Sequence, residues 1–254
     1  MGDINQQLLE AALKGKIKDI KRLLKQDSNI NHTDQDGNTP LHLAVQYGHE
    51  NVVEYLIHQG ADVEKATPDG QTPLHLAASL GRLKATKYIL IHGANMDKED
   101  KDGYTALNSA ARNGHINVMH YFIRQGAEVN RGDKDGVNAL HTAAEMGRLN
   151  VTKYLISQGA EVNRRDNEGW TAFHGAAQEG HLDVTKYLVS QGAKMNKGDY
   201  NGRTALHVAA FNGHLHVTEY LISQGAEVNR GNKDGVNALH SAVQNGHLDV
   251  TKYL

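Results

Sequence analysis

Apolar positions along the chain fall into two short helical patterns that alternate from one end to the other. One is compact and alanine-rich, containing the pairs Ala110-Ala111, Ala143-Ala144, Ala176-Ala177 and Ala209-Ala210, whose small side chains let neighbouring backbones approach closely. The other is the phrase Val-x-x-Tyr-Leu-Ile, apolar at helical spacing. Each alanine-rich helix is preceded by a residue suited to cap it: Thr39, Thr72, Thr105, Asn138, Thr171 or Thr204, whose side-chain oxygen can take an orphan backbone N–H. Pro40 and Pro73 suit the first helical position, where no N–H is needed, and alanine stands there in later copies. The glycine ahead of each cap recurs at a step of 33 residues (Gly37, Gly70, Gly103, Gly136, Gly169, Gly202, Gly235), and so does the glycine that stops the first helix, from Gly15 to Gly246. A fixed period of that size marks a repeat array, in which each unit contacts its neighbours.

The array divides into an atypical first unit over 1–35, six full units at 36–68, 69–101, 102–134, 135–167, 168–200 and 201–233, and a shortened one at 234–254. In the first unit, helices are predicted over Gln6–Leu13 and Ile17–Lys25. Lys16, Lys18, Lys21, Arg22 and Lys25 lie away from Ile17, Ile20, Leu23 and Leu24, as a cap with one wet face requires. In the last, Leu248, Val250 and Leu254 have no following repeat to cover them. A boundary within a longer array is the first explanation, and end-to-end contact between otherwise monomeric chains the second. Between units, glycine-rich polar stretches such as 130–136 read as hairpin tips. The Asp or Glu before each tip glycine (Asp36, Asp69, Asp102, Asp135, Glu168, Asp234) is expected to make the turn by bonding its own backbone.

Gly-x-Thr-Pro-Leu-His-x-Ala at 37–44 and 70–77, together with Gly-Ala-x-Val at 60–63, resembles the ankyrin repeat, and the resemblance covers essentially the whole chain. It implies a single domain over 1–254: an all-α solenoid with short hairpins, stacked as a curved array of helix-turn-helix units. It further implies that the histidines of the Thr-x-Leu-His phrase (His42, His75, His141, His174, His207, His240) bond backbone and the capping residue, linking units. The expected activity is non-catalytic protein–protein recognition along a concave groove.

Composition removes several other classes. A net charge of −2 gives no basic surplus for nucleic acid or an anionic membrane surface. With no cysteine there are no disulfides and no thiolate metal sites. No apolar run approaches the ~20 residues of a membrane span, and no signal-peptide core is visible. Met1-Gly2 fails as an acylation start because position 6 is Gln, and the sequons at Asn31 and Asn150 read as accidental. The default expectation is a cytosolic or nuclear protein. Sixteen histidines invite a metal or acid–base reading, but eleven are locked to the repeat, and only His214-Leu215-His216 pairs two at close spacing, with no third ligand nearby. No catalytic fingerprint is present, so neither enzyme nor cofactor is expected.

Function in an array sits where the copies disagree. The residue after the tip glycine varies (Asn38, Gln71, Tyr104, Val137, Trp170, Arg203, Val236), as do the two residues ahead of the first-helix glycine and the tip residue two before the glycine. From these sets the candidate partner-binding residues are Tyr47, Leu80, Tyr104, Arg112, Met146, Trp170, Tyr200, Arg203 and Phe211, rich in the Trp, Tyr and Arg that dominate interface energetics. The resemblance implies that these positions line the groove. Against this stand the possibilities that individual residues tuck against a neighbouring hairpin, or that the array is a structural or engineered spacer with no dedicated partner. A further alternative rests on the resemblance alone: Asn130, Asn163 and Asn229, each in Val-Asn, resemble the position hydroxylated in many ankyrin repeats by an asparaginyl hydroxylase.

Overall fold

The computed structural model describes residues 3–254; Met1 and Gly2, the pair weighed as an acylation start, lie outside the described residues. The described chain is all-α and forms two compact units, the first ending at Ala127 and the second running from Glu128 to Leu254. The first holds α1 (Ile4–Leu13), α2 (Ile17–Leu24), α3 (Pro40–Gln46), α4 (Glu50–His58), α5 (Pro73–Ser79), α6 (Leu83–Ile91), α7 (Ala106–Asn113) and α8 (Ile116–Arg124). The second holds α9 (Ala139–Glu145), α10 (Leu149–Ser157), α11 (Ala172–Gln178), α12 (Leu182–Ser190), α13 (Ala205–Phe211), α14 (Leu215–Ser223), α15 (Ala238–Gln244) and α16 (Leu248–Tyr253). The first helix begins earlier than its apolar pattern suggested because the side chain of Asp3 accepts the N–H of Asn5 at 3.0 Å.

Within each unit the helices form two layers. In the second, α9, α11, α13 and α15 pack in succession, and α10, α12, α14 and α16 do the same behind them. The alanine-rich helices are only seven or eight residues long, well below the ~12–15 at which a helix becomes even marginally stable alone. Their order therefore comes from packing. Ala143, Ala144, Ala176, Ala177, Ala209 and Ala210 are fully buried, so small residues set the spacing of the layer. Behind them Val151, Leu155, Val184, Leu188, Val217 and Leu221 fill the second layer.

The starts of α3, α5, α9, α11, α13 and α15 are each fastened twice. In α3 the Thr39 hydroxyl receives the N–H of His42 at 3.3 Å, while Nδ1 of His42 receives the N–H of Thr39 at 3.2 Å. This is a reciprocal cap with imidazole in the place usually held by Glu or Gln. With Nδ1 accepting, Nε2 carries the proton and donates to the carbonyl of Gln71, 29 residues ahead, at 3.2 Å. His75, His174 and His207 repeat the arrangement onto the carbonyls of Tyr104, Arg203 and Val236 at 3.0–3.1 Å. Burial pushes all four imidazoles below their ordinary pKa, and His174 furthest, to about 4. They are neutral at pH 7.

A second seam runs the other way. His49, His115, His181, His214 and His247 send Nε2 back 36 residues to the carbonyls of Leu13, Ser79, Glu145, Gln178 and Phe211, at 2.6–2.9 Å. The glycine at the end of the preceding first helix serves this contact as well as stopping the helix. Gly147 has φ +65°, and a Cβ there would lie 2.6 Å from Nδ1 of His181. Gly159, at φ +91°, has open space around it, so conformation alone requires glycine there.

Candidate functional site

The site is built on the turns between repeats. Among the described residues the only strand-like pairing is the isolated bridge between Gly132 and Asn138, so the expected hairpins are tight turns rather than sheet. Their geometry corrects one expectation. The side chain that makes the turn belongs to the residue three places before the glycine. Oδ1 of Asp166 accepts the N–H groups of Glu168 and Trp170 at 2.9 and 2.8 Å, and Asp34, Asp100, Asp133, Asp199 and Asn232 act in the same way. The acidic residue just before the glycine supplies an N–H to this turn, because the loop wraps around an acceptor two residues upstream. Successive tips are tied by backbone bonds, Asn167 N–H to Asp135 O at 2.8 Å and Tyr200 N–H to Glu168 O at 3.0 Å.

In the second unit this frame brings Trp170, Arg203 and Phe211 to one pocket of about 420 Å³, with Val208 and Val236 in its wall and Gln178, Asn212, Asn232, Ser241 and Gln244 around it. Trp170 is half-buried. Its indole Nε1–H donates to Oδ2 of Asp199 at 3.1 Å, and its ring lies 5.6 Å from that of His174. Arg203 donates through Nε to the same carboxylate oxygen at 2.7 Å while its guanidinium sits 5.4 Å from the Trp170 ring centre. The Asp199 side chain is 0% exposed and that of Arg203 38%, so the carboxylate is interred beneath the cation it serves. Phe211, the last residue of α13, is 50% exposed, and its carbonyl is held by His247.

Tyr200 is exposed at a neighbouring tip, with the Arg165 guanidinium 5.0 Å from its ring centre, and Arg165 also bonds the carbonyl of Gly198. Met146 is half-buried at the end of α9, outside the pocket lining. In the first unit Tyr104 and Arg112 line a smaller pocket of about 190 Å³, with Gln71, Asp100, Asp102 and Asn113. Tyr47 and Leu80 stand exposed at the ends of α3 and α5, outside that pocket. Asp199 was not among the sequence candidates. Its turn role hid it, and the available signal was an Asp followed four residues later by Arg203.

The histidines of the two seams have their ring nitrogens committed to the fold wherever both are bonded, as in His42, His75, His174 and His207. His214 and His216 turn to different partners, the Gln178 carbonyl and the Glu219 carboxylate. Among the described residues no group of three or more His, Asp or Glu side chains converges as a metal would need. No helix among the described residues is long and apolar enough to cross a membrane. Asn130 and Asn163 each clasp the next repeat: Asn130 donates to Gly159 O at 3.0 Å and accepts from Glu161 N–H at 2.9 Å, and Asn163 does likewise with Gly192 and Lys194. Asn229 is exposed.

The family model for ankyrin repeats, in three copies, matches residues 8–100, 89–166, 132–199 and 173–254. No curated protein matches the chain. Ankyrin repeats are generally protein–protein interaction modules, typically non-catalytic. With its paired helices, capped starts and glycine-stopped ends matched from residue 8 to residue 254, the chain belongs to the ankyrin-repeat family.

Proposed function

We propose that this chain is a non-catalytic recognition scaffold that binds an extended segment of a protein partner along the variable faces of its repeats. The observation that carries the reading is the pocket of the second unit, where three side chains from non-repeating positions, Trp170, Arg203 and Phe211, line one cavity of about 420 Å³. Pockets of ~300–1,000 Å³ with apolar walls and a few placed polar groups are the usual form of a binding site. Tyr104 and Arg112 offer a second, more polar contact in the first unit, and Tyr200 adds an exposed aromatic in the second. Tyr47 and Leu80 add exposed apolar contacts in the first unit, and Met146 a half-buried one in the second.

The structure sharpens the choice of test residue. Trp170 and Arg203 are bonded to Asp199, so their removal disturbs the turn as well as the surface. Phe211 is half exposed and contributes to the fold chiefly through its backbone. Phe211→Ala should deplete proteins captured from a cell lysate by the intact chain while leaving the thermal unfolding midpoint within a degree or two. Capture no greater than that of an unrelated ankyrin array would sink the proposal.

A further inference from the structure

The chemistry of the second unit's pocket narrows what enters it. Arg203 is the only charged side chain in the lining, and its charge is already met from below by Asp199 at 2.7 Å. His207, also in the lining, has Nδ1 and Nε2 bonded to Thr204 and to the Val236 carbonyl. The wall is apolar (Trp170, Val208, Phe211, Val236), and the remaining polar groups are amides and a hydroxyl. An entering carboxylate would bring a second negative charge close to a buried one, and an entering cation would meet Arg203 with no acidic group in the lining. Neither sign of charge is matched. An uncharged group is.

Two further features fix how such a group is held. The backbone of Val236 is spent: its N–H goes to Asn232 Oδ1 at 2.9 Å, and its carbonyl receives both Asn232 N–H and His207 Nε2. A partner therefore cannot add as a strand at this turn and must bond side chains instead. Arg203 has just such bonds to give. Its Nε serves Asp199, while its two Nη groups have no hydrogen-bond partner among the described residues.

Resting on the scaffold reading above, we propose that this pocket takes one large uncharged side chain, aromatic or aliphatic, from an extended peptide. The peptide's adjoining backbone carbonyl accepts from the Nη groups of Arg203, and its other amides meet Gln178 and Gln244. Asp199 is a positioning residue in this arrangement: it aims the guanidinium and cancels its preference for anions.

The test selects phage-displayed random dodecapeptides on the intact chain and measures each purified peptide against wild type, Phe211→Ala and Arg112→Ala, each checked for cooperative unfolding. Peptides that weaken at least tenfold on Phe211→Ala should share a Phe, Trp, Leu or Met whose replacement by Glu or Lys abolishes binding. They should also bind less tightly to Arg203→Gln, on which Arg112-dependent peptides keep their affinity, with no gain in salt sensitivity. Phe211-dependent peptides anchored by an acidic residue, with affinity falling steeply with salt, would overturn the proposal. Peptides indifferent to Phe211→Ala but weakened by Arg112→Ala would overturn it too, while leaving the scaffold reading in place. A library yielding no binder would count against both.

Discussion

The turn at Asp100 in the first unit and the turn at Asp199 in the second are made from the same four bonds. Oδ1 takes two backbone N–H groups, the carbonyl takes that of Gly103 or Gly202, and the N–H returns to Tyr104 or Arg203. The carbonyl of Tyr104 or Arg203 also receives the histidine of the preceding repeat. The copies part at one atom. Oδ2 of Asp199 gathers the Trp170 indole and the Arg203 guanidinium, whereas Gln71 and Tyr104 stand at the corresponding places around Asp100. The four bonds of the Asp turn leave Oδ2 outside them, and which side chains are set around that oxygen, Asn38 at Asp34 or Trp170 and Arg203 at Asp199, decides whether the turn is only a turn or the floor of a pocket.

The largest difference between the two copies should appear on acidification. Unfolded histidine takes up its proton near pH 6.5, whereas His174 in the fold resists until about 4. The unfolded chain therefore binds more protons between these values, and stability falls as pH drops from ~6.5 to ~4, with nothing lost above ~7. His174 alone accounts for about 3 kcal/mol over that window. His75, its counterpart, is shifted in the same direction by burial, and should titrate higher. Histidine ring proton shifts followed by NMR against pH would show it, and a His174 midpoint near 6.5 would contradict the buried seam.

Next in size, Asp199→Ala should cost about 3 kcal/mol by chemical denaturation, because it leaves a partly buried guanidinium and an indole N–H unpaired. The partial exposure of Arg203 keeps the loss at the low end. Asp100→Ala should cost about 1 kcal/mol, the price of the turn alone. Equal losses would mean that Oδ2 contributes nothing. Conversely, Gln71→Trp with Tyr104→Arg should recreate the cluster on Asp100, with a coupling of about 1 kcal/mol in a double-mutant cycle.

The smallest effect concerns a single hydroxyl. Thr185 Oγ1 donates to His181 O at 2.8 Å, but the buried Thr218 Oγ1 has no partner. Thr218→Val should therefore raise stability by up to ~1 kcal/mol, and Thr185→Val should leave it unchanged or lower it. A gain at both would remove the distinction between the copies.

Caps, stops and helix starts were legible in the sequence because each is a local event with its own residue: Thr39 and Pro40 announce the start of α3, Gly48 its end. The pairing of Trp170 with Asp199 was not, since it joins residues 29 apart through a carboxylate that local turn chemistry already explains. The same limit displaced the turn acceptor by two residues. Alternating acids at Asp34 and Asp36 look equivalent in the chain, and only the direction in which the loop wraps separates the acceptor from the donor.

The two histidine seams act as a ruler. One reaches 29 residues forward and the other 36 back, and the protein has both in force at once. A single residue inserted between His174 and Arg203 would carry that carbonyl past its imidazole, stranding two polar groups in a dry layer. Such an array therefore lengthens or shortens without penalty only in whole multiples of its own period. Duplication of complete copies, followed by change at the few side chains the seams do not touch, is the route to new binding surfaces that this architecture leaves open.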